Sequence, residues 1–285
     1  MATNKPIYAF DFDGVICDSV NESIRSGLRG AKEIWGDDVL SSKKNLPSAT
    51  TTTNSGSEVP SWLETSMRTI RPVIETGWEN ILLVKYIIDR VAQDGLDNVD
   101  RISNEILEGW LDGLKEEVLE GCGEDIEGLV ETFGNTRDSW IEQDKDGWLS
   151  ANRFYPGVVE MLNGIIANKT DFFIITTKQD RFVRMLLERN GVKAIKEDQI
   201  FGLGSGSKIS VLKGLVMRKE FGKRVVDFVE DRYETLEAVS LSMLGQPLRL
   251  YLATWGYNTE RNRERAEKHP FIGCLELQQM TENFQ

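Results

Sequence analysis

Short runs of apolar, aromatic and β-branched residues recur along the second half of the chain. They predict four strands, at residues 172–176, 199–203, 225–229 and 248–254. The helical patterns between them predict helices at residues 157–168, 179–190, 208–221 and 233–244. Because continuous apolar strands that alternate with helices are typical of a parallel sheet covered on both faces, the pattern favours an α/β fold.

A further apolar strand is predicted at residues 7–10, about half of the chain before its expected neighbours. The residues between, from about 17 to 153, contain no convincing strand and are expected to be helical, at 72–92, 102–119 and 124–141 among others. Two S-x-x-E sequences, Ser19–Glu22 and Ser61–Glu64, are expected to form capping boxes that begin two more helices. We therefore predict a Rossmann-like core of residues 1–16 and 154–285, with an all-helical cap domain at 17–153 inserted after the first strand.

Residues 41–60 differ in composition from the rest of this helical region. Nine of these twenty residues are Ser or Thr, and few are hydrophobic. Such a segment has too little apolar surface to offset the entropy of ordering it. We expect it to be a mobile loop.

The charge balance limits which partners the protein could bind. Asp and Glu number 46 against 34 Lys and Arg, which gives a formal net charge of −12. This excess disfavours nucleic acid and anionic membranes as partners, but it is compatible with a small anionic substrate at a locally positive site. The 3 cysteines are too few for a disulfide framework. We expect a cytoplasmic protein, with import into an organelle left open, that is a monomer or a homodimer.

Carboxylates follow two of the predicted strands. Asp11-Phe-Asp13-Gly14-Val15 comes directly after the first strand, and Glu230-Asp231 follows the strand at 225–229. Ligands of open α/β sheets bind at the carboxyl ends of the strands, so these acids are candidates for one site. Two adjacent acids at the end of a buried strand would repel each other unless they were exposed or faced a cation, and a metal ion is a simple partner for them.

Hydroxyls and a lysine follow two other strands. Thr176 and Thr177 end the strand at 172–176 just before a helix, where hydroxyls and backbone amides could bind a phosphate. The glycine-rich segment Gly202-Leu-Gly204-Ser-Gly206-Ser-Lys208 places a lysine at the start of a helix. Since the helix dipole disfavours a cation there, we expect an anionic group close to Lys208.

In their order along the chain, these segments resemble the motifs of the haloacid-dehalogenase-like (HAD) hydrolase superfamily. Asp11-Phe-Asp-Gly-Val resembles the first motif, and Thr176, Lys208 and Glu230-Asp231 resemble the second, third and fourth. Within the superfamily, the sequence is most similar to the phosphoglycolate-phosphatase and β-phosphoglucomutase-like branch with a helical cap, including plant and cyanobacterial members of unassigned substrate. The resemblance implies a Mg²⁺-dependent phosphatase that acts on a small phosphorylated metabolite.

The resemblance also implies a role for each matching residue. Asp11 would be the nucleophile and Asp13 the general acid and base. Thr176, Thr177 and Lys208 would bind the phosphate. Asp11, the backbone carbonyl of Asp13, Asp231 and possibly Glu230 would bind Mg²⁺.

The sequence departs from the superfamily pattern at Thr235, where a second acid often stands; Glu230, Glu234 or a water could replace that acid. Substrate specificity is expected from cap residues, with Arg71, Glu75 and Trp78 as the candidates. Two alternatives stay open: a phosphomutase of the same superfamily, and a catalytically silent HAD-fold binding module.

Overall fold

The structure, a computed structural model, describes residues 5–40 and 59–284. The chain divides into two compact units. One consists of the chain up to Asp18 together with the chain from Arg153 onward, and the other is Ser19–Asn152. Residues 41–58 of the loop predicted at 41–60 lie outside the described part of the chain, while Val59 is buried.

The first unit is built on a six-stranded parallel sheet with the strand order β5-β4-β1-β6-β7-β8. The strands of the chain are β1 Ile7–Phe10, β2 Cys17–Asp18, β3 Arg153–Phe154, β4 Phe172–Ile175, β5 Ile200–Phe201, β6 Val226–Glu230, β7 Leu248–Ala253 and β8 Ile272–Leu275. The two-residue strands β2 and β3 form a separate antiparallel pair.

Twelve α-helices lie in the described residues: α1 Val20–Trp35, α2 Ser61–Ile70, α3 Glu79–Asp94, α4 Val99–Gly109, α5 Leu114–Cys122, α6 Ile126–Ser150, α7 Val158–Ala167, α8 Asp180–Arg189, α9 Lys208–Val216, α10 Tyr233–Ser242, α11 Glu260–Lys268 and α12 Leu277–Asn283. The first six belong to the second unit and the last six to the sheet unit. None of the described helices is long and apolar enough to span a membrane.

The strands β1, β4 and β6 are buried along their whole length. They are continuous runs of mostly apolar residues because helices cover both faces of a parallel sheet. β1 lies between β4 and β6, in register from Tyr8 with Phe172 and from Ile7 with Val226. Because the three strands are parallel neighbours, their carboxyl ends lie side by side at one edge of the sheet.

The predicted α/β core with a helical insertion after the first strand is confirmed.

Close contact between α1 and α3 organises the second unit. A Cβ atom on Gly27 would lie 2.8 Å from the backbone oxygen of Asn80, and one on Gly30 would lie 2.7 Å from the Ile81 side chain. The two helices can approach this closely because both α1 positions lack a side chain. α1 also packs against α6.

Several element boundaries differ from those expected. The helix expected at 72–92 begins at Glu79, after a 3₁₀ turn at Arg71–Val73. The helix expected at 102–119 is interrupted at Gly113, whose φ of 112° ends the run before α5. β8 was not predicted, since Gly273 and Cys274 interrupt its short apolar run. The strand expected at 199–203 has two paired residues.

The two predicted capping boxes are wrong. Helices begin at both places, but neither the Ser19 nor the Ser61 region has a side-chain cap hydrogen bond. Ser61 is the first helical residue, and Pro60 takes the capping position. The Glu22 carboxylate accepts from Arg137 at 2.7 Å. A buried, charge-assisted pair of hydrogen bonds is stronger than a bond to a neutral backbone amide, which explains why Glu22 turns away from the helix end.

Candidate active site

The end of β1 delivers two carboxylates into one turn. The Asp11 backbone amide still donates to Val229 of β6 at 2.9 Å, so Asp11 is held in line with the sheet. The chain then turns at Gly14, whose φ of 86° lies in the region that favours glycine. The Asp11 side chain is buried, whereas that of Asp13 is partly exposed. The turn therefore places one buried and one accessible acid next to each other.

Lys208 lies between carboxylates from two different strands. Its ammonium nitrogen is 2.9 Å from Asp11 Oδ1 and 2.6 Å from Glu230 Oε2. Ser207 caps α9, with its hydroxyl accepting from the Ser210 amide. These contacts supply the anionic groups that were expected close to Lys208. Burial would lower the pKa of Lys208, but the two carboxylates raise it above its ordinary value, so the side chain stays cationic.

Asp231 completes the group of acids. Asp11, Glu230 and Asp231 each offer a carboxylate oxygen, and these atoms lie within 4.8 Å of one another. All three residues are buried. Lys208 contacts two of these carboxylates, those of Asp11 and Glu230, so within this group of described residues three acids face one lysine.

Burial and the neighbouring charges shift the pKa values of Asp11 and Glu230. Burial raises the pKa of Asp11 to about 7, and the Glu230 and Asp13 carboxylates push it the same way against the opposing effect of Lys208. For Glu230, burial also acts upward, yet the charge of Lys208 and hydrogen bonds hold its pKa below the ordinary value. A divalent cation would relieve the repulsion and keep Asp11 ionised.

The Asp231 carboxylate is held by the loop after β7. Its Oδ2 accepts from the Tyr257 amide at 2.8 Å, and its backbone carbonyl accepts from the Asn258 side chain at 3.1 Å. A Cβ atom on Gly14 would lie 2.0 Å from Asp231 Oδ2, and one on Gly256 would lie 2.3 Å from Asp231 Cβ. Asp231 therefore fits between two positions that have no side chain. Gly256 and Tyr257 were not among the site residues expected from the sequence.

The end of β4 adds a hydroxyl and a second lysine. Thr176 is buried, and its Oγ1 accepts from the Lys178 amide at 3.1 Å, while Thr177 is exposed. The Lys178 ammonium donates to Asp13 Oδ1 at 3.0 Å. Sequence reasoning gave Lys178 no role. The available signal was a lysine close to a buried strand, in a segment that was expected to bind phosphate.

Comparison with solved structures gives the fold its name. A protein from Haemophilus somnus 129pt, called a predicted phosphoglycolate phosphatase, matches with a TM-score of 0.56 and 16% identity over 100% of both chains. A predicted phosphatase from Clostridium acetobutylicum matches with a TM-score of 0.54 and 14% identity over 97% of both chains. A haloacid dehalogenase-like family hydrolase from Streptococcus pneumoniae matches with a TM-score of 0.52 and 12% identity, over 99% of this chain and 100% of the other.

The chain has the HAD-like hydrolase fold. No family model matches the sequence, and no curated protein matches it either. At these identities the likeness concerns the fold, so the chemistry has to be argued from the side chains. In the HAD-like fold of this chain, the residues at the ends of β1, β4 and β6 and at the start of α9 provide those side chains.

The structure places Thr235, where the sequence departs from the superfamily pattern, and the acids considered as substitutes. Thr235 is partly buried on α10. Glu234, considered as a substitute acid, accepts hydrogen bonds from Asn262 at 2.9 Å and from Arg265 at 3.4 Å. Among the described residues, the group of acids close enough to share an ion comprises Asp11, Glu230 and Asp231 and does not include Glu234.

The three residues expected to set substrate specificity belong to the inserted helical unit. Arg71 donates to the Ile74 carbonyl at 3.0 Å, and Glu75 is paired with Lys115 at 3.3 Å. Trp78 is buried and immediately precedes α3. These contacts fix the segment between α2 and α3. Recognition of the substrate by Arg71, Glu75 and Trp78 stays a prediction.

Proposed function

We propose that this protein is a Mg²⁺-dependent phosphatase that hydrolyses a small phosphate monoester through an aspartyl-phosphate on Asp11. The observation that carries the proposal is the group of three buried carboxylates around one lysine, with Asp13 beside it. A buried excess of negative charge is costly to a fold, and it suits a site that binds a divalent cation and an electrophile. The acidic surface does not oppose a small substrate that is held by local positive groups.

In the first step, an Asp11 carboxylate oxygen attacks phosphorus in line with the ester bond. The bond between phosphorus and the ester oxygen breaks, and Asp13 donates its proton to the leaving oxygen. Lys208 lies 2.9 Å from Asp11, so it could reach both the nucleophile and the non-bridging phosphate oxygens. Thr176 and Thr177 would contribute donors from the end of β4.

In the second step, Asp13 takes a proton from a water molecule. The water oxygen attacks phosphorus, the bond to Asp11 breaks, and inorganic phosphate leaves. Asp13 is again protonated and Asp11 is again a carboxylate, so both residues return to their starting state. The partial exposure of Asp13 fits this exchange of protons with substrate and water.

The residues present fit a magnesium ion. Carboxylate and carbonyl oxygens are the ligands that Mg²⁺ prefers, and Asp11, Asp231 and the Asp13 carbonyl would hold it. Glu230 is a weaker candidate, because its Oε2 already accepts from Lys208 and its Oε1 from the Arg232 amide. When bound, the ion would neutralise phosphate charge and position the phosphoryl group.

The test is release of phosphate from 4-nitrophenyl phosphate and from a panel of phosphorylated metabolites that includes phosphoglycolate. We expect Mg²⁺-dependent turnover that a chelator removes. Asp11→Asn should lower turnover by more than about 1,000-fold, because it removes the nucleophile. Asp180→Asn, which changes an exposed acid at the start of α8, is the matched control and should keep full activity. Equal turnover by wild type and Asp11→Asn would overturn the proposal.

A further inference from the structure

Lys178 is a buried lysine that pairs with Asp13 and has no part in the two reaction steps proposed above. Its side chain is 1% exposed, yet it carries an ammonium group 3.0 Å from Asp13 Oδ1. Burial of a lysine is costly unless the charge is paired, so a partner at this distance matters for the fold. The partner is the residue that must exchange protons with both the leaving group and water.

The backbone of Lys178 is fixed on both sides. Its amide donates to Thr176 Oγ1 at 3.1 Å, and its carbonyl accepts from the Leu203 amide at 3.0 Å. Gly202 permits this approach, because a Cβ atom there would lie 2.8 Å from the Lys178 carbonyl oxygen. The same glycine-rich segment ends at Lys208. One loop therefore positions two lysines, one beside Asp11 and the other beside Asp13.

Asp13 needs such a contact more than Asp11 does. Asp11 continues the hydrogen bonding of β1 and is surrounded by Lys208 and two further acids. Asp13 lies three residues beyond the end of β1, where the chain turns, with 16% of its side chain exposed. Proton transfer needs a carboxylate oxygen within hydrogen-bond reach of the reacting atom, so the orientation of the Asp13 side chain matters for catalysis. A fixed ammonium on Oδ1 restricts the rotation of that side chain.

We propose that Lys178 is a positioning residue that holds the Asp13 carboxylate in the orientation required for proton transfer to the leaving group and from water. The proposal rests on the phosphatase function proposed above. It assigns Lys178 no contact with phosphorus. Its loss should therefore impair the steps that need Asp13 and spare the binding of substrate.

Substrates with different leaving groups distinguish a positioning role of Lys178 from a role in substrate binding. The alkoxide of an alkyl phosphate must be protonated as it departs, whereas 4-nitrophenolate leaves without a proton. For Lys178→Met we expect kcat/KM to fall about 100-fold on an alkyl phosphate and to change less than about threefold on 4-nitrophenyl phosphate. On the aryl ester kcat should still fall at least about tenfold, because hydrolysis of the aspartyl-phosphate also needs Asp13, and KM should fall with it.

Three further variants complete the experiment. Lys178→Gln keeps a hydrogen-bond donor and should show the same pattern with a smaller loss, which covers the case in which Lys178→Met fails to fold. Lys213→Met removes an exposed lysine of α9 and should behave as wild type. In the Asp13→Asn background, adding Lys178→Met should cost less than about twofold, since residues that act as a unit are not additive.

Equal losses of kcat/KM on alkyl and aryl esters, a rise in KM with unchanged kcat, or additive losses with Asp13→Asn would each overturn the positioning role. Failure of the phosphatase proposal looks different. In that case wild type releases no phosphate from any ester, or Asp11→Asn releases as much as wild type.

Discussion

Each of the two units buries a cluster of charged side chains, and the two clusters differ in charge balance. In the inserted helical unit, Arg137 donates two hydrogen bonds of 2.7 Å to the two oxygens of Glu22. Ser26 and Trp148 also donate to Glu22. One cation meets one anion, and the carboxylate is surrounded by donors.

The cluster in the sheet unit is not balanced. Asp11, Glu230 and Asp231 lie within 4.8 Å of one another, and Lys208 is the cation that contacts two of them. A buried pair with matched charge and geometry stabilises one arrangement of helices. A buried group with unmatched charge leaves room for a ligand. The ratio of charges, and not burial alone, therefore distinguishes a structural cluster from a candidate site.

The largest effect on stability is expected from breaking the balanced pair. Arg137→Met would leave the Glu22 carboxylate buried without its cation, which we expect to lower the free energy of unfolding by about 3–5 kcal/mol. Urea denaturation of the purified protein measures this value. Adding Glu22→Gln should recover part of the loss, because the unpaired charge is then removed. A loss below about 1 kcal/mol for Arg137→Met would show that the pair is not the anchor described here.

The next largest effect is expected on metal affinity, when the support of Asp231 in the unbalanced cluster is disturbed. In Gly256→Ala, a Cβ atom 2.3 Å from Asp231 Cβ and 2.5 Å from the Gly14 carbonyl oxygen would displace Asp231. We expect the affinity for Mg²⁺ to fall about 10- to 100-fold, the usual cost of disturbing the support of a metal ligand. Calorimetric titration with Mg²⁺ gives the affinity.

The matched control is Gly164→Ala on α7, where an added Cβ meets nothing within 4 Å. It should leave metal affinity unchanged and stabilise the helix by up to about 1 kcal/mol. If Gly256→Ala bound Mg²⁺ as tightly as Gly164→Ala, the support of Asp231 by the loop after β7 would be disproved.

The smallest effect concerns the stability of the metal-free protein. Folding raises the pKa of Asp11 to about 7 from 3.8, so the folded protein binds a proton there more tightly than the unfolded chain does. Stability should therefore fall as the pH rises from about 4 to above 7, once the acid ionises inside the cluster. Asp11→Asn removes this loss.

At pH 8 in chelator the unfolding free energy of Asp11→Asn should exceed that of wild type, and the difference should vanish below about pH 4. Thermal denaturation across this pH range measures it. A variant that is less stable than wild type at pH 8 would mean that Asp11 is favourably paired and that the cluster carries no excess charge.

The sequence was informative where local pattern and site chemistry coincide. The buried strands β1 and β4 are continuous apolar runs, and β6 is mostly apolar. The residues at or just beyond their carboxyl ends carry the acids and the threonine, so the α/β class and the candidate residues could be predicted together. Gly113, by contrast, interrupts a helix that was expected to be continuous, because its φ is positive. The extent of the expected helices was less accurate, because helix ends in the inserted unit depend on tertiary contacts such as that between Glu79 and Trp110.

Contacts between residues distant in sequence could not be predicted. Nothing in the local pattern of Ser19–Glu22 distinguishes a capping box from a buried partner of Arg137, 115 residues away. The support of Asp231 by Gly256 and Tyr257 depends on how the β7 loop returns to the end of β1. The role proposed for Lys178 likewise depends on its contact with Asp13, which lies 165 residues earlier in the chain.

The most direct measurement is binding of Mn²⁺, a spectroscopic substitute for Mg²⁺, followed by electron paramagnetic resonance on wild type and Asp231→Asn. We expect one site per chain in wild type, from which Mg²⁺ displaces Mn²⁺, and a large loss of affinity in Asp231→Asn with the fold retained. Wild-type and Asp231→Asn proteins that bind Mn²⁺ equally well, or a wild type that binds none, would contradict a divalent cation site at the ends of β1 and β6.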